Sequence, residues 1–202
     1  MSAFRTRVKF CGMTQRQDVA DAVAFGVDAI GLVFYQKSAR CVSIEQAKAL
    51  VAHLPPFVEC VAVFVNPDPL WVTQVMTAVS IQYLQFHGEE TASFCEQFHR
   101  PYIKAVAATS SEIIQQGVDG HPNASAVLLD SPNGGTGTAF DWQIVPKALS
   151  KPLILAGGIN EHTVQAAIGV CAPYALDLCS GVERSPGIKD RERMQRFMEA
   201  LR

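Results

Sequence analysis

The sequence predicts a single-domain (β/α)8 TIM barrel over residues 1–202, and three observations carry that prediction. Short apolar runs and segments of helical spacing alternate eight times along the chain. The runs are continuous rather than alternating in polarity, as strands buried on both faces require. No linker, low-complexity tract or shift of composition divides them. Strict alternation implies parallel pairing, and eight evenly spaced units favour closure. An open doubly wound sheet is the alternative, but it seldom needs so many units.

Element by element, "VKFCG" (8–12) precedes "TQRQDVADAVAFG" (14–26), in which Val19, Ala22, Val23 and Phe25 share one face. "AIGLVF" (29–34) precedes "SIEQAKALVAHL" (43–54). "VECVAVFV" (58–65) leads to "DPLWVTQVMTAV" (68–79), with Asp68 as helix cap and Pro69 in the first turn. "IQYLQFHG" (81–88) leads to "EETASFCEQF" (89–98), and "YIKAVAA" (102–108) to a short "SSEIIQQG" (110–117). "AVLLD" (126–130) runs through a glycine-rich loop into a helical segment "DWQIVPKAL" (141–149). "PLILAGG" (152–158) precedes "NEHTVQAAIG" (160–169), capped by Asn160. "ALDLCSG" (175–181) ends in a second loop before "KDRERMQRFMEAL" (189–201).

Bulk properties narrow the function classes. A net charge of −2 exerts no long-range pull on nucleic acid or anionic membrane. The gathering of Lys189, Arg191, Arg193 and Arg196 reads as the solvated face of a terminal helix. No apolar run approaches the roughly 20 residues of a membrane span, and none near the start suits a signal peptide. The six cysteines form no CxxC pair and have no zinc-site spacing with histidine. Reduced thiols in a cytoplasmic protein are expected.

Active sites of this fold gather at the C-terminal ends of the strands. Those ends carry Cys11 and Gly12, then Lys37, Ser38 and Arg40, then Gln85 and His87, then Asp130, and finally "AGG" and "CSGVERSPG". The opposite loops are plain, and that asymmetry favours an enzyme. Gly157, Gly158, Ser180 and Gly181 lie after strands 7 and 8, the usual phosphate site of such barrels. Their N–H groups, with those of a following helix N-terminus, would hold a phosphate monoester; tight turns alone would also use glycine. Asp130 closes an apolar strand beside the loop "NGGTGTAFDW", which favours a general acid under a candidate lid. Phe140 and Trp142 would anchor the far end of that lid. His87 is read as substrate-lining. No metal set and no organic cofactor are indicated, and Cys179 reads as packing.

These motifs together resemble the phosphoribosylanthranilate isomerase family. "KFCGMT", "KSARCV", "LQFHGEE", "LLDS…GGTGTAFDW", "LAGGI" and "SGVERSPGIKD" occur in the family's order, from Lys9 to about Asp190. The resemblance implies a cofactor-independent isomerase of tryptophan biosynthesis. Its substrate would be N-(5′-phosphoribosyl)anthranilate, rearranged by Amadori chemistry to 1-(2-carboxyphenylamino)-1-deoxyribulose 5-phosphate. By the same resemblance Cys11 is the general base and Asp130 the general acid. Arg40 then meets the anthranilate carboxylate, and Asp177 is an active-site aspartate. Ala39 stands where the family commonly has proline, and Cys179 where it has serine. Nearby positive charge is expected to lower the Cys11 pKa. The alternatives are a histidine-pathway isomerase, with a carboxylate pair and two phosphate sites, and a non-catalytic scaffold. A monomer or homodimer is expected.

Overall fold

The computed structural model describes residues 5–132 and 139–202. Its core is a closed barrel of eight parallel strands in sequence order. They are β1 (Arg7–Cys11), β2 (Ala29–Val33), β3 (Glu59–Phe64), β4 (Tyr83–Phe86), β5 (Tyr102–Ala107), β6 (Ala126–Asp130), β7 (Leu153–Leu155) and β8 (Ala175–Leu178). Pairing of β8 with β1 closes the ring and sets Lys9 opposite Asp177. The predicted fold class is therefore the observed one.

Period-two alternation divides each strand between two environments. Val8, Phe10, Ile30, Leu32, Phe64, Leu84 and Phe86 face outward into the main apolar cluster beneath the helices. Val61, Ile103, Ala105, Ala126, Leu128, Ile154, Ala156 and Ala175 fill the barrel itself. Each large side chain that is fully buried contributes about 1.5–3 kcal/mol. The same parity turns Lys9, Cys11, Gln85, Asp130 and Asp177 inward, so the site's position follows from strand geometry.

Seven α-helices cover the wall among the described residues: α1 (Arg16–Phe25), α2 (Ile44–Val51), α3 (Pro69–Ala78), α4 (Ala92–Glu96), α5 (Ser111–Asp119), α6 (Val164–Cys171) and α7 (Arg191–Ala200). Ser43 and Gln46 form a reciprocal capping box on α2. Asp68 accepts from the Leu70 N–H with Pro69 in the first turn of α3, as the sequence predicts. Asn160 accepts from the His162 and Thr163 N–H groups, but α6 begins only at Val164. Its cap therefore serves a preceding turn.

Two departures bear on the site. The helix expected over 141–149 is only a 3₁₀ turn, Trp142–Ile144. Pro146 has no N–H to donate and drives its predecessor out of the helical region, and Val145 is extended at φ −70°, ψ 122°. The second is an antiparallel ribbon, β9 (Glu183–Ser185) with β10 (Ile188–Lys189), between β8 and α7. It carries Lys189 inward to 3% exposure, so that residue is not on the solvated face expected of it. A buried ammonium needs acceptors, and Lys189 Nζ donates to Glu183 Oε1 at 2.9 Å and to the Cys11 carbonyl. His121 is half-buried and hydrogen-bonds the Glu90 and Gly117 carbonyls.

Candidate active site

One cavity of about 750 Å³ opens at the C-terminal end of the strands. Cys11, Arg40, His87, Asp130, Gly157, Gly158, Asp177, Ser180 and Gly181 all line it. The candidate lid residues 133–138 lie outside the described residues. Phe140 and Trp142, at its far end, pack against the main apolar cluster.

Cys11 ends β1 and Asp130 ends β6, and β7 and β8 intervene between them around the ring. A thiol and a carboxyl therefore stand across the cavity from each other. Asp130 accepts from the Ser131 N–H at 2.8 Å, and His87 Nε2 lies 3.5 Å from its other oxygen. His87 Nδ1 is in turn 3.2 Å from Gln85 Nε2. Gln85 Oε1 and Ser131 Oγ are buried without a hydrogen-bond partner among the described residues. Both line the cavity, so polar atoms there await a polar ligand.

Gly157 and Gly158 adopt left-handed backbone, at φ +75° and +69°. A side chain at Gly157 would be strained there, and its Cβ would stand 2.9 Å from Asp130 Oδ1. The N–H groups of Gly157, Gly158, Ser180 and Gly181 have no backbone acceptor among the described residues. Unpaired N–H groups at a cavity wall suit an anion. They do not belong to a following α-helix, however. Ser180–Val182 is a 3₁₀ turn, and α6 begins several residues beyond Gly158.

Arg40 is held sideways by the ribbon. Its Nε lies 3.0 Å from Glu183 Oε1 and its Nη2 2.7 Å from Oε2. Among the described residues Nη1 has no protein acceptor, which leaves one edge of the guanidinium for a ligand carboxylate. Burial pushes the Glu183 carboxyl up, but Arg40 and Lys189 outweigh it and hold the group below the ordinary carboxylate value.

Electrostatics around Cys11 correct one expectation. Burial raises its pKa, and the opposing pull of Lys9 and Lys189 does not reverse that, so the thiol stands above rather than below its ordinary value. Burial also pushes Cys179 up to about 12. All six cysteines are free thiols, as expected.

Sequence reasoning missed Lys9, Glu183 and Lys189. Lys9 Nζ donates to Asp177 Oδ1 at 2.8 Å deep in the barrel. Its spacing of two from Cys11 was the available signal. For Lys189 the signal was the turn "SPG" just before it, and Glu183 gave none, because its role depends on the ribbon.

A closed (β/α)8 barrel with an acid, a thiol and glycine amides that have no backbone acceptor among the described residues at its C-terminal rim defines the class of barrel enzymes. Comparison with known proteins narrows the class. The family model described as N-(5′-phosphoribosyl)anthranilate (PRA) isomerase matches residues 8–200. An N-(5′-phosphoribosyl)anthranilate isomerase of Legionella pneumophila (strain Lens) is 52% identical, covering 100% of this chain and 99% of its own. One from Pseudomonas fluorescens (strain Pf-5) is 50% identical, covering 97% and 95%. The crystal structure of the Thermotoga maritima phosphoribosyl anthranilate isomerase superposes with a TM-score of 0.91 at 35% identity, covering 97% of this chain and 98% of that one. A crystal structure of a phosphoribosyl anthranilate isomerase in complex with reduced 1-(o-carboxyphenylamino)-1-deoxyribulose 5-phosphate gives 0.85 at 35% identity and the same coverage. The chain belongs to the N-(5′-phosphoribosyl)anthranilate isomerase family.

Proposed function

We propose that this chain isomerises N-(5′-phosphoribosyl)anthranilate to 1-(2-carboxyphenylamino)-1-deoxyribulose 5-phosphate in tryptophan biosynthesis, with Cys11 as general base and Asp130 as general acid. The observation that carries the reading is the placement of these two groups on inward-facing positions across one cavity, beside glycine amides with no backbone acceptor among the described residues. Family membership and the similar isomerase structure that holds reduced 1-(o-carboxyphenylamino)-1-deoxyribulose 5-phosphate support the substrate.

The chemistry follows from the groups available. The phosphate sits against Gly157, Gly158, Ser180 and Gly181, and the free edge of Arg40 meets the anthranilate carboxylate. Asp130, as the general acid, delivers a proton to the ring oxygen as the C1′–O4′ bond breaks, and the nitrogen lone pair completes a protonated Schiff base. The Cys11 thiolate takes the C2′ proton, and the electrons left behind neutralise the iminium as an enolamine. Return of a proton to C1′ and loss of one from the C2′ hydroxyl give the ketose. Each positioned proton transfer contributes about 10²- to 10⁴-fold. His87 lines the cavity against Asp130, and Asp177 lines it held by Lys9.

The test is loss of phosphoribosylanthranilate fluorescence. Cys11→Ser is expected to fold and to lose most turnover, and Asp130→Asn to lose turnover while still binding product. Near-wild-type turnover in either variant would remove that residue from its role. Conversion of the histidine-pathway substrate at a higher rate would favour the alternative isomerase.

A further inference from the structure

We propose that Lys9 is a positioning residue that favours the thiolate form of Cys11 against the burial that opposes it, across space on the inner face of the barrel that exists because residue 31 is glycine. This rests on the reading of Cys11 as the base. Lys9 and Cys11 are two apart on β1 and share its inner face, and both pair in register with β2, Lys9 with Ala29 and Cys11 with Gly31. A Cβ on Gly31 would stand 2.7 Å from Cys11 Sγ and 3.1 Å from Lys9 Cε. The two side chains therefore close on the very space that a larger residue 31 would occupy.

Lys9 has little else to do there. Its Nζ is buried, with Asp177 Oδ1 at 2.8 Å as its one oxygen acceptor among the described residues. An ammonium has three donors, so a single acceptor leaves it under-satisfied unless the sulfur takes another. Burial pulls the ammonium down, but Asp177 and Cys11 outweigh it and keep Lys9 charged at neutral pH. Lys9 thus gives up no proton in the reaction. It stays a fixed cation beside the sulfur while Cys11 gains the C2′ proton.

Other charged groups face Cys11 from the packed elements. Lys189 on β10 donates to its carbonyl, and Arg40 approaches from the loop after β2. Asp177 on β8 and Glu183 on β9 oppose them, each already paired with a cation, and the Cys179 thiol adjoins both Glu183 and Lys189. On the β2 and β3 side the neighbours of Cys11 are Val33 and Val63, which carry no charge. Lys9 is the cation whose influence on the sulfur is greatest, and Asp177 the anion.

That arrangement gives opposite signs for two substitutions. Lys9→Met removes the cation and leaves Asp177, so the Cys11 thiol must titrate at higher pH. Asp177→Asn removes the anion and leaves Lys9, so it must titrate at lower pH. A merely structural pair would not split in this way. The measurement is the pH dependence of iodoacetamide alkylation in the ligand-free protein, followed on the Cys11 peptide by mass spectrometry, with kcat/KM profiles alongside. Each limb is expected to move by about one pH unit, or about tenfold in rate at fixed pH below it. If Lys9→Met fails to fold, Asp177→Asn alone decides: a downward shift supports the assignment, and no shift or an upward one overturns it. Cys11→Ser separates the two levels. An active Cys11→Ser removes the base itself, whereas an inactive one with unmoved alkylation limbs removes only the role of Lys9.

Discussion

Lys9 and Lys104 each hold a buried carboxylate at hydrogen-bond distance, Asp177 at 2.8 Å and Glu90 at 3.0 Å, yet they serve opposite sides of the barrel wall. Lys104 lies on β5, and its ammonium also meets the Phe86 carbonyl at 3.4 Å and the Gly88 carbonyl at 2.6 Å. Three donors thus find three oxygens, and Glu90 is completed by the Asn66 and Gly88 N–H groups. That pair pins the loop after β4 and has nothing left over. Lys9 has one oxygen acceptor among the described residues and a sulfur beside it. The same two charges tie down a loop where every donor is used, and bias a neighbouring group where some are left.

The largest effect expected of this contrast is on stability. Lys104→Met leaves Glu90 as a buried charge without its cation, and should cost about 3–5 kcal/mol in urea unfolding. The pH profile of kcat/KM should not move in that variant. A moved profile would erase the distinction between the two lysines.

Arg40–Glu183 is the intermediate case, a pair at the rim with one edge open. Arg40→Ala is expected to raise KM by about 10- to 100-fold, as loss of a charge-assisted bidentate contact does, with a smaller change in kcat. An unchanged KM would place Arg40 with Lys104, as structure alone. The smallest effect concerns acid. Glu183 binds its proton less readily folded than unfolded, so its contribution to stability is present above about pH 4.3. It is lost as pH falls through the lower folded value. The Tm of the wild type should therefore decline more steeply below about pH 4.5 than that of Glu183→Gln, whatever the difference in absolute level.

The strands were legible because burial on both faces writes itself as unbroken apolar runs, and β6 falls on "AVLLD" residue for residue. The segment 141–149 was misread because its helical spacing outweighed Pro146, whose backbone restriction ends the turn at Ile144. That Cys11 and Asp130 line the cavity was legible because strand ends in this fold point to its C-terminal mouth. Lys9 was not, since its partner Asp177 lies 168 residues away and only barrel closure brings the two together. Lys189 was counted with Arg191, Arg193 and Arg196 as solvated, although the turn at "SPG" marks a reversal just before it. Charge patterning within one helix does not register a ribbon that turns a single residue inward.

The bond from Lys189 to the Cys11 carbonyl joins groups 178 residues apart. During synthesis, then, the surroundings of the eleventh residue are completed only after the hundred and eighty-ninth has left the ribosome. The thiol is made almost first and its surroundings are completed almost last. A chain interrupted within its final helix already contains the ribbon's residues, while one interrupted before the ribbon lacks the lysine that holds the Cys11 carbonyl.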